Sequence, residues 1–116
     1  MDLAFEYQWR SLLKTLSAEY GSDLDLNAIL FLIGVQELGQ GARVFKKREK
    51  LELMHIAVCT LLHPYGYYNP IGRDIQGWPH FEKQKALPPL SGEEQERLMK
   101  EAIIAYFYSD DHIGSN

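Results

Sequence analysis

Cysteine is almost missing. Cys59 is the only one in 116 residues, so no disulfide can form within the chain. A lone thiol fits a reducing compartment. Long apolar runs are missing too: the longest strongly apolar stretch, Ala28 to Val35, is far too short to cross a bilayer. The opening Met1-Asp2-Leu3-Ala4-Phe5-Glu6 has no basic stretch followed by an apolar one, so no signal peptide is expected. These absences together set the expectation of a cytoplasmic protein that does not enter a membrane. Positive charge is in deficit, with 12 Lys and Arg against 16 Asp and Glu and a net charge of −4. That balance argues against broad binding to nucleic acid or anionic lipid. High-specificity catalytic motifs are absent as well: no Walker A loop, no G-x-G-x-x-G, no H-E-x-x-H and no G-x-S-x-G.

What is present is ordinary globular material. The chain is 46% apolar and 24% charged, which excludes general disorder. A chain of this length buries about two-thirds of its unfolded surface, enough to fold without a disulfide or metal. Nothing in the composition places a domain boundary. One helical domain over residues 1–116 is expected, with residues 109–116 as a polar flexible tail.

Helical periodicity dominates. Phe5, Trp9, Leu12, Leu13, Leu16 and Tyr20 share one stripe, which predicts a helix over 3–20 closed by Gly21. Asp23 or Asp25 can cap a second helix over 25–38, apolar almost all round and therefore expected in the middle of the fold. A third helix is expected over 46–62, with Leu51, Met54, Val58, Leu61 and Leu62 as its apolar face and His63-Pro64 ending it. Ser91 and Glu94 fit a capping box that opens a fourth helix over 92–107, its stripe Leu98, Met99, Ala102, Ala105 and Tyr106 widened by Ile103 and Phe107.

All five prolines fall between residues 64 and 89, among glycines and aromatics. So long a bare loop is unusual in a compact domain. Short strands, 3₁₀ turns or one helical turn near Glu82–Lys85 are expected there, packed down by the aromatics. The fold class is therefore all-α: four main helices with an ordered aromatic-, proline- and glycine-rich insertion between the third and fourth.

The stretches Phe31-Leu32-Ile33-Gly34-Val35-Gln36-Glu37-Leu38-Gly39 and Gly77-Trp78-Pro79-His80-Phe81-Glu82 resemble a family of short bacterial proteins of unknown function. The likeness covers most of the chain. It implies a small bacterial cytoplasmic protein and carries over no activity or site residue.

Three features could carry function. Glu52, His55, Cys59 and His63 fall within about 80° of one another on the third helix. Glu52, His55 and Cys59 are metal-ligand types at helical spacing, so a divalent metal is the cofactor they could hold. The plainer reading makes His55 a packing histidine and Cys59 a small hydrophobe. In the insertion, Tyr67, Arg73, Asp74, Trp78 and His80 could line a pocket or a partner surface, with Phe81 beside them. Alternatively the aromatics are the insertion's own core. The run Lys46-Lys47-Arg48-Glu49-Lys50, with Arg43 upstream, could contact an anion, although a solvated helix start is commoner and nucleic-acid binding is not expected. The reading with most support is a helical interaction protein without catalysis, binding a protein partner or itself, with no cofactor. The runner-up is a metal- or small-ligand-binding protein, an enzyme among its variants, using the third helix and the aromatic insertion.

Overall fold

The computed structural model describes residues 2–21, 24–41 and 43–109. It is an all-α fold of four helices: α1 (Leu3–Tyr20), α2 (Leu26–Leu38), α3 (Lys47–Leu62) and α4 (Gly92–Ser109). A 3₁₀ turn (His63–Tyr65) and a two-stranded antiparallel hairpin, β1 (Tyr68–Arg73) and β2 (Pro79–Lys83), stand between α3 and α4. Among the described residues no helix is long and apolar enough to cross a membrane. The chain divides into two compact units: Met1–Leu24 with Leu90–Asn116, and Asp25–Pro89. Past Ser109 the expected tail lies outside the described residues.

The first unit pairs α1 with α4. The Asp2 carboxylate accepts the Phe5 N–H at 3.1 Å and so caps α1. At α4 the capping box is reciprocal: Glu94 N–H donates to Ser91 Oγ at 3.1 Å, and Ser91 N–H to Glu94 Oε1 at 2.8 Å. The Arg97 guanidinium lies 3.8 Å from the Phe5 ring centre and Lys100 Nζ lies 5.3 Å from that of Trp9. These contacts advance in the same sense along both helices, which therefore run in the same direction. Phe5, Trp9, Leu12 and Leu16 are buried on α1; Ala102, Ile103, Tyr106 and Phe107 are buried on α4. Two expected stripe members are exposed, Tyr20 and Ala105. Tyr20 is the last residue of its helix, and Ala105 falls about 130° from the centre of the buried arc.

The second unit is built on the crossing of α2 and α3. Asp25 Oδ1 accepts the Ala28 N–H at 2.8 Å; Asp23, the other candidate cap, lies outside the described residues. Only Asn27 and Gln36 on α2 are exposed, as expected of a central helix. Gly34 is where the two helix backbones come closest: a Cβ there would overlap the Leu53 carbonyl and sit 2.9 Å from the Leu53 Cβ. That approach fixes the rotation of α3 and corrects its apolar face. Leu53, Ile56, Ala57 and Leu61 are buried, whereas Leu51 is 61% exposed and Met54 and Val58 are half-buried. Leu38, Phe45, Leu53, Ile56 and Trp78 form the unit's buried cluster, with Phe31, Val35 and Phe81 packed against it.

The hairpin pairs Tyr68 with Lys83, Asn69 with Glu82 and Pro70 with Phe81, then shifts register so that Gly72 meets His80. Ile71 is the extra residue of this bulge. The strand runs to Lys83, so the helical turn considered near Glu82–Lys85 does not form.

Candidate functional site

The turn of the hairpin is organised by two neighbouring charged residues that do different work. Asp74 Oδ1 accepts the backbone N–H groups of Gln76 at 2.9 Å and Trp78 at 3.0 Å. This is the side-chain mimicry of a turn that Asp performs well. Its Oδ2 accepts from His80 Nε2 at 3.0 Å. The bond to His80, followed by the Trp78 N–H, holds the Asp74 carboxyl below its ordinary range. Arg73 reaches away from the turn. It donates to the carbonyls of Glu37 at 2.7 Å, Leu38 at 3.1 Å and Gly77 at 2.8 Å. The first two are among the last carbonyls of α2, which lack intrahelical partners and carry the negative end of the helix dipole. Arg73 therefore closes α2 and fixes the hairpin to it. Trp78, 6% exposed, enters the core from the same turn.

Among the residues anticipated as a binding surface, Arg73, Asp74, Trp78 and His80 thus come together, as a framework. Tyr67 stands at the other end of the hairpin, half-buried, with Lys85 Nζ 4.8 Å from its ring centre. Arg73 and Asp74 are exposed, while Trp78 and Phe81 pack inward.

The α3 residues are arranged otherwise. His55 Nε2 lies 3.5 Å from Cys59 Sγ, and His55 meets the Tyr68 ring edge-on at 6.3 Å. Cys59 is fully buried, and burial pushes its thiol up to about 11. A thiol so disfavoured as thiolate is a poor metal ligand and a poor nucleophile. Among the described residues no three His, Cys, Asp or Glu groups converge to hold an ion, so Glu52 is not brought into a site with His55 and Cys59. In the basic run, Arg43 lies 4.5 Å from the Phe45 ring centre and 3.9 Å from Glu49. Lys46, Lys47, Arg48 and Lys50 are exposed on the first turn of α3.

A cleft of about 260 Å³ opens where the end of α3 meets the hairpin. Glu37, Thr60, His63, Arg73 and Phe81 line it, with Pro70, Gly72 and Pro79. Two of its polar groups have their protons assigned by neighbours. His63 Nδ1 lies 2.8 Å from the Tyr68 carbonyl, which can only accept, so Nδ1 carries a hydrogen and donates it there. Thr60 Oγ1 donates to the Ile56 carbonyl at 2.8 Å, leaving its lone pairs. The exposed aliphatics nearby are Ile71, 62% exposed in the bulge, and Ile75, fully exposed at the hairpin tip.

Glu37 entered the sequence reading only within the resembling stretch and His63 only at the end and on the flank of the third helix, and Thr60, Ile71 and Ile75 not at all. One signal was available: two isoleucines inside a proline- and glycine-rich segment have no helical stripe to join. No protein-family model, curated protein or solved structure matches the chain.

Proposed function

We propose that this chain is a binding protein rather than a catalyst, and that the hairpin is the part it presents to a protein partner. The carrying observation is the contrast within the eight residues from Ile71 to Trp78. Arg73, Asp74 and Trp78 lock the turn to the α2–α3 pair, while Ile71 and Ile75 stand in solvent. A rigid loop binds without a large ordering cost, and an aliphatic tip supplies apolar area at its centre. The acidic balance of the chain favours a protein over a nucleic acid as that partner. Cytoplasmic location and membership of the short bacterial family belong to this reading. Self-association is its simplest form, a second copy serving as the partner.

The test is a paired variant, Ile71→Asp with Ile75→Asp. Both sites are exposed, so stability should stay within about 0.5 kcal/mol of the parent. Sedimentation of the purified chain and crosslinking in cells should both lose their complexes. Complexes that persist unchanged would remove the hairpin from the interface.

The cleft favours a second reading, small-ligand binding at the junction of α3 and the hairpin. Its supporting observation is the mixed lining of charged groups, acceptors and apolar surface in one concavity. Perturbation of Thr60 and His63 resonances by a small molecule, lost on Thr60→Val, is the corresponding check.

A further inference from the structure

We propose that the outer edge of β2 pairs with the same edge of a second copy of this chain, antiparallel and centred on Phe81, so that two hairpins join into one sheet. The inference rests on the reading of the hairpin as the part presented to a partner, and names both the partner and the contact. It follows from which backbone groups of the hairpin point outward, and from the charges that each register would set face to face.

The two ends of the hairpin fix which way each backbone unit faces. Gln84 N–H donates to the Tyr67 carbonyl at 2.9 Å, and Asp74 N–H donates to the Trp78 carbonyl at 2.9 Å. Trp78 and Gln84 therefore turn their backbone groups toward the other strand. The extra residue of the bulge lies on β1, so alternation along β2 is unbroken. His80 and Glu82 face β1, and Pro79, Phe81 and Lys83 face outward. Among the described residues, no hydrogen bond from beyond the hairpin reaches the backbone of these three. The outer edge of β1 is closed by contrast. Pro70 has no N–H, the bulge at Ile71 interrupts the strand, and the outward Tyr68 carbonyl lies 2.8 Å from His63 Nδ1. The hairpin thus has one blocked edge and one open edge, and an open edge is a template for another strand.

Charge decides the register. Outward groups must meet outward groups, so the two-fold axis falls on a residue and not between residues. Centres on Pro79 or Lys83 leave most of the strand unmatched. A centre on His80 joins only the Phe81 N–H of each copy to the Pro79 carbonyl of the other. A centre on Glu82 uses the outward groups of both Phe81 and Lys83. It also sets Glu82 against itself at the closest side-chain spacing of a ladder, where like charges repel. A centre on Phe81 uses the same N–H groups without that penalty. Phe81 N–H meets the partner's Phe81 carbonyl, and Lys83 N–H meets the partner's Pro79 carbonyl. Proline, which lacks a donor, then serves only as an acceptor. Glu82 stands opposite His80 of the partner subunit, and no like charges meet.

The experiment follows amide exchange of the full chain by NMR as its concentration rises, with sedimentation alongside. Exchange at Phe81 and Lys83 should slow as the dimer forms. Free exchange of both amides at every concentration up to about 1 mM, the limit of weak association, would overturn the pairing. Lys83→Pro deletes an outward N–H and leaves the ladder to β1 whole, since an edge strand tolerates proline where its N–H faces solvent. It removes one hydrogen bond from each side and should weaken the dimer about thirtyfold, whereas Lys83→Ala should keep it. The register has its own readout. Glu82→Cys mixed with His80→Cys should form an intermolecular disulfide, and Glu82→Cys alone should not; the reverse pattern would refute the centre on Phe81. Complexes lost in the Ile71→Asp and Ile75→Asp pair but kept in Lys83→Pro would sink the edge pairing and leave the hairpin reading standing. Complexes kept in both would remove both.

Discussion

Both units of this chain bury apolar side chains, but they differ in what is added to that burial. The α1–α4 pair is clamped at its surface. Arg97 covers Phe5 while bonding Asp2 at 3.0 Å and Glu101 at 2.7 Å, and Lys100 sits over Trp9 with Glu96 at 2.9 Å. The α2–α3 pair is closed from within, where Gly34 lets the backbones meet and Trp78 fills the cluster beside Leu53 and Ile56. Solvent-exposed charge contacts contribute little each and are screened by salt. Buried close packing contributes much more and is indifferent to salt. Salt should therefore weaken the added contacts of the first unit and leave those of the second unchanged. The second unit is also the one that carries the cleft and the hairpin.

The largest expected effect on this contrast comes from Trp78→Ala. Emptying a buried aromatic site costs about 3–5 kcal/mol. Denaturant unfolding should show that loss; a change under about 1 kcal/mol would place Trp78 outside the core. Gly34→Ala comes next, at about 1–3 kcal/mol, because the added methyl forces α2 and α3 apart. Amide exchange in α2 and α3 should accelerate while α1 and α4 keep their protection. Equal acceleration in both units would erase the distinction between them.

Arg97→Met tests the other half. It keeps an apolar stem over Phe5 and deletes the charge contacts. Exchange protection should fall in α1 and α4 alone, by less than either core variant produces, and added salt should mimic it in the parent. Acid is the mildest probe and reaches both units. Asp2 is held low by the Phe5 N–H and then by Arg97; Asp74 is held low by His80 and then by the Trp78 N–H. A lowered folded-state value means that each contribution is complete above the ordinary aspartate range and lost as pH falls through the lowered one. The amide signals of Phe5 and Trp78 should therefore hold through pH 5 and shift together only below about pH 4. Loss of the Trp78 signal position already at neutral pH would show that the Asp74 carboxylate does not hold it.

The helices were legible because local signals agreed. Asp25, Gly21, Gly39, Ser91 and Glu94 each sit at a helix end in the role that their chemistry suggests. The face of α3 was not legible. Leu51-Met54-Val58 and Leu53-Ile56-Ala57 are both apolar arcs, and only the backbone approach at Gly34 selects the second. Trp78 was legible as core, since a long aromatic-rich insertion needs an anchor. The clamp by Arg73 was not, because its acceptors lie 35 and 36 residues away and are backbone carbonyls, which no sequence pattern marks. The cleft was hidden for the same reason: Glu37, His63 and Phe81 meet only through the hairpin's register.

The single thiol has a use of its own. Cys59 has no solvent exposure, and its proton stays on well above neutral pH. An alkylating reagent at pH 8 can reach it only when α3 comes away from its surroundings. The rate of Cys59 labelling is then a clock for the opening of this chain, one that can be read by mass spectrometry in living cells without altering a residue.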